Sequence, residues 1–293
     1  MKDRRAETRF DIHQHVTNQI VAAIEAGAGE FRLPWHRAAG SIMRPVNVAS
    51  KKPYQGVNVL TLWAAGDAAG YEAGTWGTYK QWAEAGAQVR KGEKASYIVF
   101  YKEITVASEE ANEDDSGTRL FARATPVFAA EQVDGYASPA LPEPPTNPIE
   151  PIERAEAFIA ATGATIVHGG GRACYVPRTD NIHMPCLDRF RDAEAYTSTK
   201  LHELTHWSGI ETRCNRQFGK RFGDDAYAME ELVAELGAAF LCADLGITDA
   251  TRADHAQYLD NWLRVLKADK KAIFTAASKA SQAAAFLAGL QPA

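Results

Sequence analysis

Two histidines and a glutamate in the stretch His202-Glu203-Leu204-Thr205-His206 have the types and spacing of a hydrolytic metal centre. Positions i and i+4 of a helix point to the same side, so His202 and His206 can hold one divalent cation while Glu203 reaches a water beside it. A pattern with three fixed positions also arises by chance on a surface helix, so its surroundings decide. Residues 193–201 contain neither Gly nor Pro, and Tyr196, Thr197, Lys200, Leu201 and Leu204 can form the side that packs away from the metal. Residues 227–236 read as a second helix, with Met229, Leu232, Val233 and Leu236 as its apolar side and Glu230, Glu231 and Glu235 on others.

Three protein ligands plus one open position define a catalytic zinc site. Glu231 is the favoured third ligand, because Glu235 then falls one turn later, where its carboxylate can accept the second ring N–H of a ligating histidine. Glu230 and Glu235 stay open as alternatives. Zinc, or another divalent transition metal, lowers the pKa of water toward ~7 and polarises a scissile carbonyl. Glu203 then needs only to collect a proton and pass it to the leaving amine, as a general base. Tyr196, Tyr227 and His183 are all conceivable donors to an oxyanion, and spacing does not choose among them. Residues 179–185 alternate as an edge strand able to pair with an extended peptide, or equally as a plain strand ended by Pro185.

The chain that must position these groups has 293 residues, 46% hydrophobic and 24% charged, which suits two ordinary globular domains. Residues 138–151 hold six of its thirteen prolines, too many missing N–H groups for a helix or a central strand. An α+β architecture is therefore expected, with an N-terminal α+β domain over residues 1–136, a Pro-rich linker over 137–151, and a mostly helical domain with a small sheet over 152–293. The N-terminus lacks a basic-then-apolar leader, and no apolar run approaches the ~20 residues of a membrane helix, so a cytoplasmic protein with no membrane partner is expected. Cys174, Cys186, Cys214 and Cys242 form no Cys-x-x-Cys pair and read as free thiols, Cys242 as a buried one.

A net charge of −5 argues against an indiscriminate nucleic-acid binder, but the charge is uneven. Residues 1–106 carry fourteen Lys and Arg against ten Asp and Glu, a balance of +4 that leaves −9 for the remainder. In this basic half, Ile12, Val16, Ile20 and Ile24 recur every four residues before Gly27, the pattern of an amphipathic helix. Aromatic, polar and basic residues then interleave through Trp35, Arg37, Lys51, Lys52, Tyr54, Asn58, Trp76, Tyr79, Lys80, Arg90 and Lys91. Single-stranded nucleic acid is bound by such a mixture, with bases stacked on rings and the backbone following positive charge. The same pattern also suits a core, in which Trp63, Trp76, Tyr79 and Trp82 are packing residues. Residues 95–106 and 118–130 alternate as a hairpin around the acidic loop 109–115, read as a solvated tip. Near the C-terminus, Leu259, Trp262, Leu263 and Leu266 mark a packing helix, followed by an Ala-rich one. His13, His15, His36, His168 and His255 lack neighbours at ligand spacing and read as ordinary histidines.

Several segments together resemble the ArdC-type antirestriction proteins of conjugative plasmids. They are Pro34-Trp35, Tyr54-x-Gly56-x-Asn58, Trp76-x-Thr78-Tyr79-Lys80-Gln81, Val89-Arg90-Lys91-Gly92-Glu93, His202-Glu203-Leu204-Thr205-His206-Trp207, and Tyr227-Ala228-x-Glu230-Glu231-Leu232-Val233-Ala234-Glu235. They span nearly the whole chain outside the linker. The Glu231-x-x-x-Glu235 spacing also resembles that of gluzincin peptidases. The resemblance implies an N-terminal single-stranded DNA-binding domain, also found near plasmid primases, and a C-terminal zincin-like domain. It further implies protection of incoming plasmid DNA from host restriction during conjugation.

Three functions then compete. One is a DNA-tethered zinc metallopeptidase acting on a protein of unknown identity, with selectivity supplied by effective concentration. Another is a protein that coats entering single strands, its metal structural or catalytically dispensable. A metal-dependent nuclease is the weakest, because two-metal nucleases favour carboxylate-rich sites over two histidines on one helix.

Overall fold

The four-residue recurrence near the N-terminus produces helix α1 (Ile12–Gly27), which buries Ile12, Val16, Ile20 and Ile24. The structure, a computed structural model, describes residues 10–27, 33–35, 43–105, 118–137, 149–216, 218, 225–248 and 255–292. The acidic loop 109–115 and the proline-rich stretch 138–148 lie outside the described residues. After α1 come β1 (Val46–Asn47), α2 (Val57–Ala69), β2 (Thr75–Gly77), α3 (Tyr79–Glu84) and β3 (Gln88–Val89). Then follow β4 (Ser96–Thr105), β5 (Thr118–Ala129) and β6 (Val133–Asp134). The expected hairpin forms from β4 and β5, with Ser96 opposite Val127 and Thr105 opposite Thr118. It is half of a four-stranded sheet of order β1-β2-β5-β4, beside a two-stranded β3-β6 ribbon. Helix α3 starts at Thr78 with a capping box, in which the Thr78 hydroxyl accepts from the Gln81 N–H and the Gln81 side chain accepts from the Thr78 N–H.

The second half contains α4 (Glu150–Ala161), β7 (Thr165–His168), β8 (Cys174–Val176), β9 (Asn181–Met184), α5 (Ala193–Trp207), α6 (Asp225–Leu245), α7 (His255–Ala268) and α8 (Ala272–Gly289). Helix α4 begins inside the expected linker, with Pro151 in its first turn. Proline is tolerated there because a first-turn N–H has no intrahelical acceptor to lose. The three strands form a sheet of order β7-β9-β8. Residues 181–184 are thus the central strand, paired with β7 in parallel and with β8 antiparallel, and the edge-strand expectation for this segment is corrected. Alternation reports which side chains face the core, not how many strands lie alongside.

The two halves share one core. A single apolar cluster runs from Ile20 through Trp63 and Phe240 to Trp262 and Leu287. Trp63 meets Phe240 with ring centroids 6.0 Å apart, and Trp35 meets Trp262 at 6.4 Å. Arg44 crosses between the halves, paired with Asp244 at 2.6 Å and lying 5.0 Å over the Phe240 ring. Gly56 adds a backbone tie: it caps α2 at φ +59°, a conformation that favours glycine, and its N–H donates to Ser281 Oγ at 2.8 Å. Cys242 is buried, and none of the four cysteines is in a disulfide. Among the described residues, no helix is long and apolar enough to cross a membrane.

Candidate metal centre

Helix α5 begins where the Asp192 carboxylate accepts the Ala195 N–H at 2.7 Å, and its residues 197–207 are buried. Helix α6 comes close alongside because Gly237 has no side chain. A Cβ there would lie 2.5 Å from Cγ2 and 2.8 Å from Oγ1 of Thr205. This approach brings Glu231 against both motif histidines. The two Nε2 atoms are 3.2 Å apart, His202 Nε2 is 3.5 Å from Glu231 Oε2, and His206 Nε2 is 3.7 Å from Glu231 Oε1. Tetrahedral donors bound at about 2.0–2.1 Å stand roughly 3.3–3.4 Å from one another, so the three buried groups fit a divalent metal ion.

The electrostatics fit as well. Burial opposes a charged His206 ring, but the Glu230 and Glu231 carboxylates outweigh it and raise its pKa to about 10. Burial likewise opposes a charged Glu231, yet hydrogen bonds from His202 and His206 hold its pKa well below the usual carboxylate range. The site therefore draws positive charge toward the Glu231 carboxylate, a demand that a metal ion meets in place of a proton.

Behind the Nε2 atoms stands a further layer. His206 Nδ1 lies 3.2 Å from Glu230 Oε1, and His202 Nδ1 lies 3.5 Å from Glu235 Oε2, the latter at ion-pair rather than good hydrogen-bond distance. Glu230 is itself gripped by Arg216, whose Nη2 donates to Oε1 at 2.9 Å and whose Nε donates to Oε2 at 3.0 Å. Arg216 also donates to Ser208 Oγ at 2.9 Å and to the Thr205 carbonyl, so a buried guanidinium fixes the end of α5. Of the three glutamates in play, Glu231 faces both Nε2 atoms, while Glu230 and Glu235 stand at the Nδ1 atoms.

Glu203 points toward the small sheet, where its Oε2 accepts the Tyr175 N–H of β8 at 2.8 Å. Since β9 is central, β8 is the edge strand beside the site. The Tyr175 hydroxyl donates to Asp180 Oδ1 at 2.9 Å, and Asp180 pairs with Arg213 at 2.5 Å, which pins the β8–β9 turn to the end of α5. A cavity of about 990 Å³ opens between β8 and the helices, with His202, His206, Glu203, Tyr175, Tyr227 and Tyr258 in its walls. Of the three donors considered for an oxyanion, Tyr227 alone lines this cavity. Its hydroxyl lies 3.2 Å from that of Tyr258, and burial pushes its pKa up, so it stays protonated. Tyr196 is instead engaged with His168 Nε2 at 2.8 Å, and His183 sits on the central strand.

Tyr227 also ends a file of rings. It stacks on Tyr258 at 6.2 Å, Tyr258 stacks on Trp262 at 5.8 Å, and Trp262 meets Trp35 of the N-terminal half.

Tyr175, Arg216 and Tyr258 were not among the residues that spacing singled out. Gly169-Gly170-Gly171 gave a turn signal from which strand β8 could have been found. No local signal marks Arg216, because its partner lies on another element.

In the N-terminal half the structure corrects part of the expected DNA-facing set. Trp35, Tyr54 and Trp76 are buried core residues, so their rings are not open to bases. Asn58 binds both backbone groups of Val99, at 2.8 and 3.0 Å, and holds α2 to β4. Arg37 lies outside the described residues. Lys51, Lys52, Tyr79, Lys80, Arg90 and Lys91 are exposed. An Asn47–Gln81 hydrogen bond of 3.2 Å ties the turn bearing Lys51 and Lys52 to the helix bearing Tyr79 and Lys80. Sequence reading missed three further exposed rings on the β4–β5 ribbon, Phe100 (53%), Tyr101 (50%) and Phe121 (43%). Arg123, also exposed, stands opposite Phe100.

Fold and site together define a zincin-like helical domain joined to an N-terminal α+β domain. Residues 153–279 match the family of zincin-like metallopeptidases, and residues 10–130 match the N-terminal domain of anti-restriction factor ArdC. The crystal structure of antirestriction protein ArdC from plasmid R388, in its metal-free form, is 38% identical and superposes with a TM-score of 0.79 over 96% of this chain and 98% of that one. Its Mn(II)-bound form gives 0.77 over the same shares. The uncharacterized protein y4eC of Sinorhizobium fredii (strain NBRC 101917 / NGR234) is 50% identical over 287 residues, covering 96% of this chain and 93% of that protein. DNA primase TraC of Escherichia coli is 37% identical over 297 residues, a match to 94% of this chain but only 27% of that protein. The chain belongs to the ArdC antirestriction family.

Proposed function

We propose that this chain is a plasmid antirestriction protein that binds single-stranded DNA with residues 1–136 and carries a zinc peptidase site in residues 152–293, joined by the proline-rich stretch 137–151. It would act in the cytoplasm, on DNA entering by conjugation. The observation that carries the peptidase reading is the convergence of His202, His206 and Glu231 within 4.8 Å, with Glu203 beside them in one cavity. His202, His206 and Glu231 would hold the cation, with Glu230 and Glu235 orienting the rings. A bound zinc would polarise the scissile carbonyl and acidify a water.

The protein's own groups do the rest. The Tyr175 N–H holds one oxygen of Glu203, leaving the other to take the proton of the attacking water and deliver it to the leaving amine. The protonated Tyr227 hydroxyl, in the wall of the same cavity, would donate to the oxyanion. The edge of β8 is suited to an extended peptide laid alongside it. DNA binding is supported by the exposed lysines and arginines around Tyr79, and by the Phe100, Phe121 and Arg123 ribbon, which pair open rings with positive charge.

A second reading keeps the DNA binding and makes catalysis dispensable. It is favoured by the place of the triad, which clamps α5 to α6 inside the core shared by both halves. The Glu203→Ala variant separates the two, since it removes the base and no metal ligand. Loss of plasmid protection in a conjugation assay, with metal content and oligonucleotide affinity intact, supports the peptidase; full protection supports the second reading.

A further inference from the structure

The cavity has one wall that the chemistry above does not use. Arg172 lies between the glycine turn and β8, and Arg189 and Arg191 lie just before α5; all three are exposed and line the cavity. The glycine turn and the segment before α5 meet across the fold: a Cβ on Gly171 would stand 3.6 Å from Nη1 of Arg189. Arg191 is paired with Asp192 at 2.7 Å. Among the described residues, Arg172 and Arg189 have no ion-pair partner. Arg172 is near enough to the motif for its charge to be felt at Cys174, where burial and Glu203 raise the thiol pKa and Arg172 lowers it. This cationic wall belongs to the half of the chain whose net charge is −9, so it is no sample of a generally basic surface.

We propose that Arg172 and Arg189 form a specificity subsite for an acidic side chain of the substrate peptide, next to the bond held at the metal centre. The inference rests on the peptidase reading and names its substrate class. A peptide laid along β8 presents alternate side chains toward the cavity wall, and a Glu or Asp there meets the guanidiniums of Arg172 and Arg189, each able to fork onto a carboxylate. A nucleic-acid backbone carries the same sign of charge, but β8 offers the backbone pairing of an extended peptide.

The test uses the zinc-loaded full chain and two N-acylated dipeptide hydroxamates that differ only in glutamate against glutamine, with the variable residue at each position in turn. The hydroxamate anchors on the metal, so affinity is read by titration calorimetry without any turnover. The glutamate probe is expected to bind about tenfold more tightly, a preference that shrinks with rising salt and falls within about twofold in the Arg172→Ala/Arg189→Ala variant. The Arg172→Glu/Arg189→Glu variant should favour a lysine probe instead. Equal affinity for the first pair in the wild type overturns the subsite. So does displacement of the acidic probe by an oligothymidylate that the double Ala variant no longer shows, which would make the wall a phosphate track. Cleavage of the matching amide peptides is scored separately. Cleavage with no acid preference removes the subsite and keeps the peptidase; acid-selective hydroxamate binding with no cleavage keeps the subsite and removes the peptidase.

Discussion

The two halves of the molecule share an apolar core but differ in the charged groups they enclose. Between α5 and α6 the interior is polar: two histidines, four glutamates and an arginine are enclosed, with Arg216, Glu230 and His206 joined by hydrogen bonds, Glu231 and Glu235 at ion-pair distance from the histidines, and Glu203 held by the Tyr175 N–H. In the N-terminal half no charged side chain is buried among the described residues, and Lys51, Lys52, Lys80 and Lys91 stay outside. Leaving an enclosed polar group without a partner is costly, so such groups constrain one another's positions and their chemistry is specific. Exposed charges are under no such constraint, and a strand of DNA needs only that they be present and spread along its path.

The largest test of this contrast is Glu203→Ala. It should lower peptide hydrolysis by about 10²–10⁴-fold while elemental analysis shows unchanged metal. A change in oligonucleotide affinity in the same variant would show that the halves are not functionally separate. Next comes Arg216→Ala, which leaves the buried Glu230 charge without its guanidinium. A loss of about 3–5 kcal/mol in denaturant unfolding is expected, and a neutral result would mean that the polar interior is looser than its hydrogen bonds imply.

In the other half, Trp76→Ala should also cost about 3–5 kcal/mol of stability, as a core truncation does. Tyr79→Ala should leave unfolding unchanged but weaken binding of short oligonucleotides by about 1–3 kcal/mol in fluorescence titrations. If these two variants exchange their effects, the assignment of core and surface is wrong. The smallest effect is expected from Lys51→Ala with Lys52→Ala. For every phosphate no longer neutralised, the plot of log affinity against log salt should flatten by about 0.7, a uniform weakening with no sequence preference.

This contrast also explains what was legible in the sequence. Glu231 was only the favoured one of three glutamates on a second helix that is buried on nearly every side, whereas His202, Glu203 and His206 sit on one helix, where the rise per residue fixes their geometry. Helix α1 and the β4–β5 hairpin were readable for the same reason. The Arg216–Glu230 pair was not, because it joins a loop to a helix across the fold. Nor was the identity of the edge strand, since residues 181–184 alternate whether they have one neighbour or two. Trp35, Tyr54 and Trp76 were ambiguous in principle: an aromatic beside a lysine suits either a base stack or a core, and only the packing of α2, β2 and α7 decides.

The file of rings from Trp35 to Tyr227 bears on how such genes can be shuffled. A chimaera that takes its first 136 residues from one relative and the remainder from another risks a seam of mismatched rings beneath the cavity of the candidate metal centre. Productive recombinants should carry positions 35 and 262 from the same parent, even though more than two hundred residues of chain lie between them.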